Sequence, residues 1–196
     1  MKTLLLLIIL FSWNCSSIDL TKYEALKTPR ITTKASQKVF RIEITGDPNK
    51  VAGKAYSRIY KAAFKSKEND LGRDKMIPRA RWPKPLETPI EEYIGIYASP
   101  VSEKVNSIPE GLDNPEPKLV LETWEYGEVA EILHIGSYEK EMPTVEKLKS
   151  FVKEKGYEID GPHEEEYLKG PGMFFKGNED EYVTIIRYKV KPLKKK

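Results

Sequence analysis

A change of hydrophobic period inside one stretch, residues 124–168, limits the folds open to this chain. From Val129 the side chains alternate: Val129, Glu131, Leu133 and Ile135 fall on one face of an extended segment, and Ala130, Ile132, His134 and Gly136 on the other. Both faces are largely apolar, so the strand is expected to be covered on both sides. After Gly136-Ser137 the period lengthens. Pro143 sits in a first helical turn, Val145, Leu148 and Val152 recur at helical spacing with Phe151 widening the apolar face, and Gly156 supplies the stop. The chain returns through Gly161-Pro162 into HEEEYL, where period two sets His163, Glu165 and Tyr167 against Glu164, Glu166 and Leu168. Glu164 and Glu166 are expected to face water. Two readings of Glu165 stay open: part of a solvated acidic edge strand, or a carboxylate at the floor of a cleft walled by aromatic rings.

The same order occurs upstream. Phe40, Ile42 and Ile44 alternate with Val39, Arg41, Glu43 and Thr45, and Gly46 ends that strand. Asp47 caps a helix with Pro48 in its first turn; Tyr56, Ile59, Tyr60, Ala63 and Phe64 make its apolar stripe, which runs out near Lys67. Residues 40–64 thus repeat the order of residues 129–152, with Gly46 where Gly136 stands. Each helix leads into a strand pair, 92–99 with 118–124 in the first half and 164–168 with 182–190 in the second. The order predicts an α+β fold of tandem β-α-β-β halves with a mainly antiparallel sheet, two helices on one side and a ligand cleft on the other. Residues 72–89, rich in proline and charge, read as a long connection whose Trp82 either plugs a core edge or closes the cleft. Residues 100–118 read as a surface excursion.

LHIGSYEKEMPTVEKL, the GY after it, HEEEYLKGP and the closing TIIRYKV resemble the GyrI-like domain, also known as the effector-binding domain of AraC-type and MerR-type multidrug regulators. The resemblance is continuous from about Trp124 to Val190 and weaker upstream. In that family two β-α-β-β units pack about a pseudo-twofold axis, and a pocket glutamate falls, when aligned on Tyr167-Leu168, on Glu165. The family includes sensors, inhibitors and a group of hydrolases, so the resemblance implies a small-molecule-binding domain over residues 38–192. Trp82, Tyr93, Tyr97, Trp124, Tyr126, His134, Tyr138 and Tyr167 are the candidates for lining the cleft with Glu165. Rings attract organic cations by roughly 0.5 to 2 kcal/mol each when desolvated. A cationic or amphipathic guest is therefore expected.

The alternative is a hydrolase in which Glu165 acts as general base against a strained, cyclopropanoid electrophile. A third reading, by resemblance to SOUL haem-binding proteins, needs His134 or His163 as an iron ligand, and neither lies in a haem motif. Two histidines and one cysteine make no zinc constellation in the sequence, and no phosphate loop or serine elbow is present, so no metal or cofactor is expected. Acidic and basic residues are interleaved at a net charge of +3, with a basic tail at 193–196, which does not describe a nucleic-acid footprint.

The N-terminus carries a separate signal. Lys2 precedes an apolar run from Thr3 to Phe11, too short for the roughly 20 residues of a membrane-spanning helix, and Cys15 stands where a lipoprotein signal is cut and acylated. Ser12-Trp13-Asn14 departs from the small residues usual before such a cysteine. Residues 1–15 are expected to be a signal peptide and 16–37 a polar arm, which places the protein in the periplasm or cell envelope with a lipid anchor on Cys15 as its only membrane contact. With one cysteine, no intramolecular disulfide can form. Expressed from its own start, the wild-type chain should partition with membranes and carry an acylated N-terminal cysteine by intact mass; Cys15→Ala should release it to the soluble fraction.

Overall fold

Gly46 and Gly136 share a backbone φ of 133°, a region that favours glycine, and each N–H donates to a tyrosine carbonyl, Tyr93 and Tyr182 respectively. These two bends mark equivalent points of an internal repeat. The computed structural model describes residues 19–85, 87–112, 116–171 and 177–194; the expected signal peptide, residues 1–15 with Cys15, lies outside the described residues. The first half is β2 (Gln37–Thr45), α1 (Pro48–Lys65), β3 (Arg79–Trp82) and β4 (Ile94–Pro100). The second is β6 (Gly127–Ile135), α2 (Met142–Glu154), β8 (His163–Lys169) and β9 (Val183–Pro192). Three strands stand outside the repeat: β1 (Arg30–Lys34), β5 (Leu119–Trp124) and β7 (Tyr157–Ile159). All pairings are antiparallel, in the order β1-β6-β9-β8-β3-β4-β2-β5, with β7 on β9.

Read outward from the centre, the sheet is symmetric: β3-β4-β2 on one side, β8-β9-β6 on the other. The two halves meet where Arg79 pairs with Glu166, Ala80 with Glu165, Arg81 with Glu164 and Trp82 with His163. Ala80 and Glu165 are each other's counterparts as well as partners, so the local twofold axis passes between them. The α+β class, the tandem repeat and the two-helix count agree with the sequence reading, but the membership of the first half does not. Its third element is β3, inside the stretch read as a connection, because four residues with no period-two run longer than Ala80 and Trp82 give too little pattern to see. β5 is an addition at the sheet edge.

Both helices pack on one face. Ala55, Ile59, Ala62 and Ala63 of α1 cover Phe40, Ile42, Ala80 and Tyr97, while Val145, Leu148 and Val152 of α2 cover Ala130, Ile132 and Ile186. Phe64, expected in the stripe of α1, is 57% exposed. The segment from 100 to 118 is more than an excursion: Val101, Val105 and Leu112 are buried in the α1 core. The polar arm also contributes, since β1 pairs with β6 and Leu26 is buried against Leu133, Val183 and Ile185. Its strand is legible only through its neighbour. No helix among the described residues is long and apolar enough to cross a membrane.

The face opposite the helices is curled inward and keeps a pocket of about 190 Å³ against Arg81, Tyr126, Glu164 and Arg187. Only Glu125 and Tyr126 separate β5, at one sheet edge, from β6, near the other, so the sheet curls on that side and brings Val39, Ala98, Trp124, Tyr126 and Val129 together. Glu164 and Glu166 point into this concavity and not to water. Arg187 ion-pairs with Glu131 at 3.0 Å, Glu164 at 2.8 Å and Glu166 at 3.1 Å; Arg81 meets Glu164 at 2.8 Å and Arg79 meets Glu166 at 3.4 Å. The Tyr126 hydroxyl donates to Glu164 and accepts from Arg79, and the Arg81 guanidinium lies 3.7 Å from the Trp124 ring centroid. Three guanidiniums face three carboxylates, which makes charge burial tolerable. The sequence reading failed here because Arg79, Arg81 and Arg187 are remote from HEEEYL along the chain.

Burial by itself would raise the Glu166 carboxyl, but Arg79, Arg187 and Lys34 outweigh it and hold the group at about 2. A depressed carboxyl stabilises the fold above its unfolded value near 4.5 and loses that contribution as pH falls through about 2. Glu166→Gln should therefore cost about 3 to 5 kcal/mol at neutral pH, because it strands buried guanidinium charge. Thermal unfolding followed across this acid range should show a shallower loss of Tm in the variant than in the wild type.

Candidate functional site

Glu165 projects from the centre of β8 onto the helix face, beside the twofold axis, and is 5% exposed. Its cross-strand partners are Ala80 on β3 and Ile186 on β9. Rings from both halves pack around Glu165. Tyr97 meets Tyr56 of α1 edge-on at 5.4 Å and Trp82 at 5.8 Å, and Trp82 lies 5.7 Å from Tyr93. In the second half Tyr138 packs edge-on against Tyr167 at 5.6 Å and at a tilt against Tyr182 at 5.3 Å. Burial first, and the charge of Glu165 next, push the hydroxyls of Tyr97, Tyr138 and Tyr167 up. Each of these phenols is thus a neutral O–H near one carboxylate, not a competing anion.

A line of polar groups runs from Glu165 toward α2. Glu165 Oε1 is 3.0 Å from His163 Nε2, and His163 Nδ1 is 2.9 Å from the Tyr188 hydroxyl. Glu141, the residue before α2, places Oε1 3.8 Å from His163 Nε2. Burial first, and then the charge of Glu165, push the Glu141 carboxyl well above the usual range. Two carboxylates in one dry space do not both ionise without a counter-charge. The Tyr97 hydroxyl, the Trp82 indole N–H and Glu141 Oε2 are buried without hydrogen-bond partners among the described residues. Such groups carry a desolvation penalty of about 1–3 kcal/mol each, so this interior keeps unused hydrogen-bonding capacity around a charge.

Of the residues singled out in the sequence, Glu165, Tyr167, Tyr138, Tyr97, Tyr93 and Trp82 come together here, on the side of the sheet that carries the helices and not on the side expected. Trp124 and Tyr126 do not: they line the concave face with the arginine network. His134 is spent on its own turn, with Nδ1 3.0 Å from Thr144 Oγ1 and Nε2 3.1 Å from the Ser137 carbonyl. Cys15 lies outside the described residues. Tyr56, Glu141 and Tyr188 were missed as site residues, and His163 was considered only as an iron ligand. Tyr56 looks like any core position of α1, and nothing local distinguishes Glu141 from the other acidic residues before Pro143.

Two half-enclosing helices, a symmetric sheet and a charged aromatic interior at their junction describe a domain built to hold a small molecule. The profile of the GyrI-like small molecule binding domain matches residues 27–191, and the chain belongs to that family. Among solved structures, a hydrolase from Listeria innocua superposes with a TM-score of 0.69 at 18% identity, covering 87% of this chain and 96% of that one. The C-terminal domain of EcmrR does so with a TM-score of 0.58 at 14% identity, over 85% of this chain and 98% of that one. EcmrR in its DNA complex gives a TM-score of 0.62 at 16% identity, over 88% and 61%. At such identities the likeness is one of fold. No curated protein sequence matches the chain.

Two glycines make room for the walls. A Cβ on Gly95 would stand 2.6 Å from Cζ of Tyr97, and one on Gly170 would stand 2.8 Å from the Tyr138 hydroxyl oxygen. Tyr97 is 1% exposed and has nowhere to retreat. Gly95→Ala should lower stability by about 1–3 kcal/mol through overpacking, read as a drop in Tm. Gly53→Ala, on α1 with nothing within 4 Å, should leave Tm unchanged or raise it.

Proposed function

We propose that the chain captures flat or amphipathic organic cations, such as quaternary ammonium compounds or cationic dyes, with Glu165 as the counter-charge. The observation that carries this reading is the carboxylate itself, buried on the helix face with Tyr97, Tyr138 and Tyr167 around it and no lysine or arginine of the described residues paired to it. A desolvated carboxylate gains most when a guest neutralises it. The surrounding rings add about 0.5 to 2 kcal/mol each by cation–π contact. Because the rings pack on one another, a bulky guest enters by displacing Tyr93 and Tyr138, which are only half-buried. The same proposal places this capture outside the cytoplasm, on the strength of the N-terminal apolar run and Cys15.

Hydrolysis of a strained electrophilic ring is the second reading, favoured by the hydrogen-bonded series Glu165, His163 and Tyr188. It suits a general base whose acquired proton is shared with a neighbour. Product mass after incubation with a cyclopropane-bearing electrophile distinguishes turnover from stoichiometric capture.

Titration of the full-length chain with a cationic dye should quench tryptophan fluorescence, and Trp82→Phe should remove most of that change because Trp124 faces the other side of the sheet. Glu165→Gln should weaken the dye by about tenfold or more, the scale of one desolvated charge pair. An unchanged affinity in that variant removes Glu165 from the site and the cation reading with it.

A further inference from the structure

Glu141, His163 and Glu165 come from different places, the residue before α2 and the first and third residues of β8, yet each offers a ligand atom and these atoms lie within 4.8 Å of one another. His163 Nε2 is 3.0 Å from Glu165 Oε1 and 3.8 Å from Glu141 Oε1. Donors that hold a first-row divalent ion at about 2.0–2.2 Å stand roughly 3 to 4 Å from one another around it. The two separations from His163 Nε2 already have that spacing, and the two carboxylates lie within 4.8 Å of each other.

The groups behind the donors are arranged for the same task. His163 Nδ1 is held by the Tyr188 hydroxyl at 2.9 Å. With Nδ1 donating to that oxygen, Nε2 presents its lone pair toward the carboxylates, the outer contact usual for an imidazole that ligates a metal. Glu141 supplies an independent observation. It precedes α2, where an acidic side chain ordinarily accepts a helix N–H, but it makes no capping bond. It is 7% exposed, and its Oε2 is buried without a hydrogen-bond partner among the described residues. Among the described residues, no lysine or arginine is paired with Glu141 or Glu165. The contrast with the concave face is sharp, since every buried glutamate there meets a guanidinium.

We propose that Glu141, His163 and Glu165 form a site for one divalent first-row transition ion, bound through one imidazole nitrogen and two carboxylate oxygens, with Tyr188 positioning the imidazole. A mixed nitrogen and oxygen donor set suits Zn²⁺, Co²⁺, Fe²⁺ or Mn²⁺ better than Ca²⁺ or Mg²⁺, which take oxygen ligands. The ion requires all three side chains, whereas capture of an organic cation requires Glu165, so the two ideas share a residue and stand separately.

The test uses the full-length chain stripped with a chelator and titrated with Co²⁺. Visible d–d absorption should saturate at one ion per chain, and Zn²⁺ should compete for the same site and raise the unfolding temperature. Glu141→Gln and His163→Ala should each weaken Co²⁺ by about tenfold or more, with the exposed Glu139→Gln unchanged. Should His163→Ala fail to fold, the nearly isosteric Glu141→Gln decides the matter. Absence of a saturable band at millimolar Co²⁺, or binding that survives Glu141→Gln, overturns the proposal. Loss of Co²⁺ with dye affinity retained in Glu141→Gln supports it; Co²⁺ binding to a wild-type chain that takes up no dye leaves it standing and removes only the organic-cation reading.

Discussion

The antiparallel contact between β3 and β8 is the constraint on which the rest of this structure depends. It joins the two halves at their symmetry axis, and it sorts charge to opposite sides of the sheet. Arg79 and Arg81 face Glu166 and Glu164 on the concave side, while Ala80 faces Glu165 on the helix side. Cross-strand pairs of opposite charge favour this register, and a slip by one residue would turn every glutamate to the other face. The same few residues therefore hold the domain together and aim Glu165 between the helices.

The two faces solve charge burial differently. On the concave side each carboxylate is matched, Glu131 with Arg30 and Arg187, Glu164 with Arg81 and Arg187, and Glu166 with Arg79 and Arg187. That face is an internal ionic core whose partners all come from the protein. On the helix side Glu165 and Glu141 share one histidine and are surrounded by phenols. Aromatic rings exclude water and offer their negative faces without supplying a full positive charge. An interior of this kind is incomplete electrostatically in a way the concave face is not.

Much of the fold was legible. The strands around Ile42 and Ile132, the two helices with Pro48 and Pro143 near their starts, and the equivalence of Gly46 and Gly136 follow from period and turn chemistry, which act over a few residues. β3 was hidden because its pattern is short and lies among prolines, and β1 because an edge strand needs only one partner and tolerates a polar sequence. The family resemblance brought Glu165 forward, and period two put it with Tyr167. Trp124 and Tyr126 were grouped with Glu165, from which the sheet separates them, because aromatic identity says nothing about which face of a curled sheet a residue occupies. Glu141 was invisible for a different reason: its surroundings come from β8, across a turn and a helix.

The sequence by itself determined local direction: which segments extend, where the helices begin, and that His163, Glu165 and Tyr167 point one way while Glu164 and Glu166 point the other. It did so because alternation is a property of the backbone and is independent of neighbours. Only the tertiary structure decided which of those directions is dry, which carboxylates receive a guanidinium, and which are left with a histidine and rings. Charge neutralisation is a property of approach between distant segments, since attraction between buried groups depends on separation and on the exclusion of water, and neither is written in the spacing of residues along a strand.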